Sequence, residues 1–199
     1  MEALFGKKKR KPGGALVLYT SRHGATQRYA ERIAQPLDAL VKEAAYAKID
    51  AARTYDVIVL GCCVYAGKIK GLDFFAQYAQ ELADKRLVLF TCGLYDPCDP
   101  KESAAREALD AQIRKALGDM TDRIAIFHLR GSLRWQSLGL VERLMMKALV
   151  AMFKKKPEAE RTRTERLVLE SEGGALDFAD EMDLAPIVHA ARFGKEAAE

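Results

Sequence analysis

Apolar residues fall along this chain in short dense runs, separated by longer stretches where they recur every three or four positions. The runs "GALVLYT" (14–20), "YDVIVLGCC" (55–63), "RLVLFTCG" (86–93) and "RIAIFHLRG" (123–131) predict buried strands. Between them, 26–42 carries Tyr29, Ile33, Leu37, Leu40 and Val41 at helical spacing, with Pro36 marking a kink or an end. "LDFFAQYAQEL" (72–82) and the alanine-rich 101–117 predict further helices, and "AYAKI" a brief edge strand. A last helix is expected from Leu184-Ala185-Pro186, with Asp183 as its N-cap. Strands alternating with helices predict an α/β fold, a parallel sheet covered on both faces. Ligands in such sheets bind beyond the carboxyl ends of the strands, so loops 20–26, 62–71 and 91–101 are read together as one candidate site.

A different pattern sets in towards the carboxyl end. Leu138, Val141, Leu144, Met145, Ala148, Leu149 and Met152 form one helical stripe, expected to face the core. Met146 and Val150 interrupt the opposite side, which carries Glu142, Arg143 and Lys147. The helix is thus apolar around a wide arc, and it runs into "KKK" at 154–156. Two readings fit: a core helix whose cationic end suits its dipole, or a helix lying in a membrane interface with its lysines at anionic headgroups. It is too short to span a bilayer, and no uncharged apolar run of about 18 residues occurs in the chain.

The 199 residues suit one large domain, and an apolar fraction of 49% can fill its core. A net charge of +4 is compatible with anionic small molecules, an anionic membrane surface or weak nucleic-acid contact. The opening "MEALFGKKKRKPGG" has a basic cluster and no signal-peptide segment behind it. Residues 1–13 are therefore expected to be a solvated tail, with a membrane-surface or interaction arm as the alternative. The four cysteines, Cys62, Cys63, Cys92 and Cys98, match no zinc spacing, and no metal site or disulfide framework is expected. A reducing, cytoplasmic compartment follows, with Cys62 and Cys92 as small buried residues.

Chemistry concentrates in the first loop. "TSRHGAT" offers hydroxyls from Thr20, Ser21 and Thr26, a flexible backbone at Gly24, and the unpaired amides of a helix start. Such an end favours an anion, because free N–H groups and the helix dipole act together. A plain turn with a Ser or Thr N-cap has the same composition. The loop lacks the Gly-Lys-Ser/Thr ending of a Walker loop and the G-x-G-x-x-G of a dinucleotide site. Ser21-x-His23-Gly24-x-Thr26 resembles the phosphate loop of flavodoxins, Thr/Ser-x-Thr-Gly-x-Thr, with His23 in place of the usual hydroxyl. The resemblance implies that Thr20, Ser21, Arg22, His23, Gly24, Ala25 and Thr26 surround the phosphate of FMN.

"GCCVYAG" (61–67) likewise resembles the flavodoxin stretch Gly-Cys-Ser-Thr-Trp-Gly, whose aromatic stacks on the flavin. It implies Tyr65 as the stacking residue, with Cys63, Val64, Ala66 and Gly67 as backbone neighbours of the ring. A planar apolar ring needs such an aromatic face and backbone donors at its polar edge. In "TCGLYDPCDP", Cys92 and Gly93 match a similar flavodoxin pair, Leu94 follows, and Tyr95 is either a second ring-facing aromatic or an exposed turn residue.

"GSLRWQSLGLVERLMMKALVAMFKKK" (131–156), followed by "TRTERLVL", resembles the flavodoxin-like protoporphyrinogen oxidases, the menaquinone-dependent protoporphyrinogen IX dehydrogenases. There a Gly-x-Leu-Arg-aromatic stretch follows the late strand and precedes a Met-rich segment with a basic end. The resemblance spans 14–192 and implies a flavodoxin-like three-layer sandwich. Its five-stranded parallel sheet would have the order 2-1-3-4-5, with a family-type insertion at 131–165 near the last strand. One FMN-binding domain would cover 14–192, with a tail at 193–199. The resemblance further implies FMN as cofactor, oxidation of protoporphyrinogen IX or a related substrate in haem biosynthesis, a quinone as electron acceptor, and a peripheral place on the inner face of the membrane.

Arg134 and Trp135 suit a propionate and the ring of a tetrapyrrole or quinone, or else are a surface arginine beside a half-buried tryptophan. Lys68 and Lys70 near the flavin would raise its potential, and Asp96 and Asp99 would lower it. His128 and His189 read as structural, and no residue is assigned as catalytic acid or base. Two alternatives stand: a flavodoxin-type electron carrier or quinone reductase without porphyrin activity, and a fold relative that no longer binds FMN.

Overall fold

The computed structural model describes residues 13–195; the basic cluster at 1–12 and the end of the expected carboxyl tail, 196–199, lie outside the described residues. β1 (Ala15–Tyr19) leads into α1 (Ala25–Leu37), β2 (Leu40–Glu43), the single turn α2 (Ile49–Ala52) and β3 (Val57–Tyr65). There follow β4 (Lys68–Lys70), α3 (Asp73–Tyr78), β5 (Arg86–Gly93), α4 (Ser103–Leu117) and β6 (Ala125–Arg130). The chain then makes β7 (Ser132–Arg134), α5 (Leu140–Lys155), α6 (Arg163–Glu170) and β8 (Ala175–Asp177) before α7 (Ala185–Phe193) returns to the sheet. The main sheet runs β2-β1-β3-β5-β6 with every neighbouring pair parallel, and β4 folds back antiparallel on the end of β3. Counted on the five parallel strands alone, this is the expected order 2-1-3-4-5.

Alternate strand residues feed two cores. Val17, Val59, Val88 and Phe90 join α1 and α7 on one face, while Leu18, Ile58, Leu60 and Leu89 join α3 and α4 on the other. Burial on both faces is why these strands read as continuous apolar runs.

Two expectations fail near β2. The helix expected over 26–42 ends at Leu37, because Asp38 turns left-handed (φ 48°) and releases the chain. Leu40 and Val41 then pair with Leu16 and Val17 as the edge strand. "AYAKI" is accordingly no strand but a 3-10 turn, Ala44–Tyr46, with its connection. Helical spacing of apolar residues does not mark where a helix stops when the next strand continues the same apolar count.

Between β6 and α7, the segment β7–β8 builds a small third core from Leu133, Trp135, Leu138, Val150 and Val168, with Leu94, Met146 and Phe153 packed against it. Here the expected stripe is met only at Leu138, which is buried, and at Leu149, which is half-buried; its other members are exposed. Val150 is the buried residue of α5, Met146, Leu149 and Phe153 flank it, and Leu140, Leu144 and Met152 are 87%, 71% and 63% exposed. A helix apolar around most of its circumference has no face that spacing alone can choose. Among the described residues, no helix is long and apolar enough to cross a membrane, and no group of three or more His, Cys, Asp or Glu is placed to hold a metal ion.

Candidate functional site

The carboxyl ends of β1, β3 and β5 point the same way, and the loops that follow them meet around one cavity of about 520 Å³. Loop one contributes Arg22, His23, Ala25 and Thr26, loop two Cys63 to Gly67, and loop three Cys92, Gly93 and Leu94. The far wall comes from the segment after β6, through Leu133, Leu138, Glu142, Met145, Met146 and Leu149.

Loop one is shaped for an anion. Gly24 takes a left-handed conformation (φ 88°) as N-cap of α1, a backbone that L side chains rarely adopt. Its amide donates to Ser21 Oγ at 3.1 Å, and its carbonyl accepts from Arg28 N at 3.0 Å, the first bond of the helix. The amides of Ala25, Thr26 and Gln27 therefore precede the intrahelical ladder, at the positive end of a 13-residue helix. Thr20 and Ser21 brace this turn and do not line the cavity: Thr20 packs against Gly71, and Ser21 spends its oxygen on Gly24.

Loop two is a two-residue hairpin. Tyr65 pairs with Lys68 across Ala66 and Gly67, both with positive φ (48° and 72°), as a turn matching the sheet's twist requires. Ala66 carries a side chain in that conformation, so the strain of the turn sits on the rim of the cavity. The hairpin fixes Tyr65 at the cavity mouth, where the Arg22 guanidinium carbon lies 4.0 Å from the centre of its ring.

The floor is closely packed. A Cβ on Gly131 would come within 3.1 Å of Cys92 Sγ, so a side chain there would make the floor give by a few tenths of an ångström. Burial pushes the Cys92 thiol up to about 12, and it pushes Cys63 up as well, against the opposing pull of Arg22 and Lys70. Both thiols are thus uncharged at neutral pH, suiting a floor of low polarity. All four cysteines are free.

Three residues singled out from sequence lie away from the cavity. Tyr95 turns inward and meets His128 edge-on, ring centres 5.9 Å apart. Trp135 is buried in the third core, where its indole has no open face to offer a ligand. Arg134 is exposed and reaches Asp177 at 3.5 Å. Asp96 is also withdrawn: it is buried between Arg130 (3.6 Å) and Arg163 (3.3 Å), while Asp99 accepts from the amides of Lys101 and Arg163. The loop-three acids are therefore spent on neighbours.

Sequence spacing does not mark the far wall. Glu142 was legible only as one charge on a helix; its capping contact with Gly139 N (3.0 Å) fixes both the start of α5 and the carboxylate's position over the cavity.

The sequence profile of the flavodoxin domain family matches residues 16–160. The chain belongs to that family. Solved flavodoxin-like structures resemble it more loosely. A putative flavoprotein from Bacteroides eggerthii is 16% identical and aligns over 72% of this chain and 99% of its own, with a TM-score of 0.44. Oxidised flavodoxin 2 from Bacillus cereus is 19% identical over 59% of this chain and 84% of its own, with a TM-score of 0.42. A flavoprotein in complex with FMN from Lactobacillus acidophilus is 16% identical over 59% of this chain and 93% of its own, with a TM-score of 0.39. No curated protein matches. The family match stops at residue 160, so α6, β8 and α7 of this flavodoxin-family chain lie beyond it.

Proposed function

We propose that the chain binds FMN and acts as an oxidoreductase, taking electrons from protoporphyrinogen IX or a related substrate and passing them to a quinone. The observation that carries this reading is the convergence of three strand-end loops on one cavity, with an anion cradle at one end and Tyr65 at its mouth. The donors fit the group. Unpaired amides at the start of α1 suit a phosphate, and the Tyr65 ring with the backbone of 63–67 suits an isoalloxazine. Bound flavin supplies two-electron redox chemistry; the chain supplies position and electrostatics. Leu133, Leu138, Met145, Met146 and Leu149 exclude water from the rest of the cavity and leave an apolar chamber for a second flat ligand. With Asp96 paired to Arg130 and Arg163, Lys68 and Lys70 beside loop two are opposed less by loop three and favour a reduced, anionic flavin.

The purified protein should show a flavin absorption spectrum, or acquire one with FMN; failure to bind micromolar FMN overturns the reading. The finer claim is read by oxidation of protoporphyrinogen IX with a menaquinone analogue. A flavin signal without turnover favours the alternative of a carrier or quinone reductase. One observation speaks for that alternative: Arg134 and Trp135, the residues suited to a porphyrinogen, do not line the cavity.

The outer face of α5 supports a peripheral membrane contact. Leu140, Val141, Leu144 and Met152 stand exposed beside Arg143, Lys147 and Lys155, a pairing that suits the interface of an anionic bilayer. Flotation with anionic vesicles at low salt should carry the wild-type chain and lose the Leu140→Ser/Leu144→Ser variant. Equal flotation of both, or of neither, removes the contact.

A further inference from the structure

The segment after β6 reaches the cradle end of the cavity through a single carboxylate. Glu142, in the first turn of α5, accepts from Arg22 Nε at 2.6 Å through Oε1 and from Gly139 N at 3.0 Å through Oε2. These donors, the Gly139 amide foremost, hold its carboxyl below the ordinary carboxylate range. His23 Nε2 lies 3.8 Å from the same Oε1. Arg22, held in this way, lies over Tyr65 at 4.0 Å from the ring centre. A flat group packed on that side of the ring would need the same separation, about 3.5–4.0 Å between carbons. Arg22 and Tyr65 both line the cavity, so a planar ligand on the Arg22 side of the ring would contend with the guanidinium for that face.

We propose that Glu142 is a positioning residue of the flavin site. It holds Arg22 on Tyr65, so that a planar ligand binds only by displacing the guanidinium, and a segment outside the three loops thereby sets their affinity. The inference rests on the FMN reading above.

Glu142→Gln is the informative change, because its amide oxygen still accepts from Gly139 while the charge that holds Arg22 is gone. FMN is titrated into the full chain as wild type, E142Q, R22A and the double variant, with quenching of flavin fluorescence as the signal. Thermal melts without FMN check that all four are equally folded. E142Q should tighten FMN binding roughly two- to fivefold, in the range of an exposed ion pair, and the gain should vanish when Arg22 is also Ala. An equal gain in both backgrounds overturns the proposal, since a carboxylate that merely repels phosphate needs no Arg22. No gain in either overturns it too. If none of the four folded proteins binds micromolar FMN, the cofactor reading falls and this one with it, a result distinct from binding with an additive cycle.

Discussion

The parallel sheet and the segment inserted between β6 and α7 hold together by different means. The sheet is apolar on both faces, and its strands owe their places to Val, Ile, Leu and Phe packed under α1, α3, α4 and α7. The inserted segment has a core of five buried residues, and along α5 only Val150 is buried while Leu140, Val141, Leu144, Met145 and Met152 are exposed. It is joined to the sheet largely by polar contacts: Arg22 to Glu142, Arg28 to Asp177 at 2.5 Å, Arg163 to Asp96, and Thr164 to Glu102. Hydrophobic burial is non-directional and tolerant of approximate matches, whereas charge-assisted bonds demand geometry. The cavity lies where the two modes meet. One wall is rigid backbone at strand ends, and the other is a side-chain surface held by a few ion pairs.

Four substitutions break or sharpen that contrast, in descending order of effect. Phe90→Ala removes a fully buried ring from the interior strand β5 and should cost about 3–5 kcal/mol of global stability, read by denaturant unfolding. Asp96→Asn strips the buried Arg130 of its carboxylate partner and should cost about 3 kcal/mol. Because Arg163 loses the same partner, limited proteolysis should then cut near 157–162 before the sheet unfolds.

His128 gives a smaller, pH-dependent effect. Its ring sits between Thr91 Oγ1 (2.7 Å) and Asp110 Oδ1 (3.0 Å), and burial holds its pKa below the ordinary value although Asp110 pulls it upward. The unfolded chain takes up a proton near pH 6.5 and the folded one only at lower pH. Stability is thus unaffected by this group above about 6.5 and falls as pH drops below that. His128→Gln should flatten the slope in acid melts. Leu144→Ser, on the outer face of α5, should change stability by no more than about 0.5 kcal/mol. A large loss there would mean that α5 is packed on its other side.

The same contrast explains what could be read in advance. β1, β3 and β5 announced themselves because strands buried on both faces must be apolar throughout, and the three cavity loops followed from the strand ends. Tyr65 and the Ser21–Thr26 turn were legible because they are local, each set by a few consecutive residues. The inward face of α5 was not, since its helix is apolar on two sides and only the third core selects Val150 over Leu144. Trp135 and Tyr95 misled for a related reason. An aromatic residue beside a functional loop serves packing as readily as binding, and only the path of the chain decides. Arg22 and Glu142 are 120 positions apart, and neither carries a local mark of the other.

Tyr29, fully buried in α1, directs its hydroxyl at two carbonyls, Arg130 O at 2.5 Å and Phe178 O at 3.1 Å. Phe178 N also donates to Gly131 O at 3.2 Å. The chain therefore departs from the sheet and rejoins it at nearly the same point in space. Everything from β7 to β8 is an excursion whose two feet stand together, and a short linker could replace it without moving α7. In this chain a whole wall of the pocket thus hangs from one pair of adjacent anchor points.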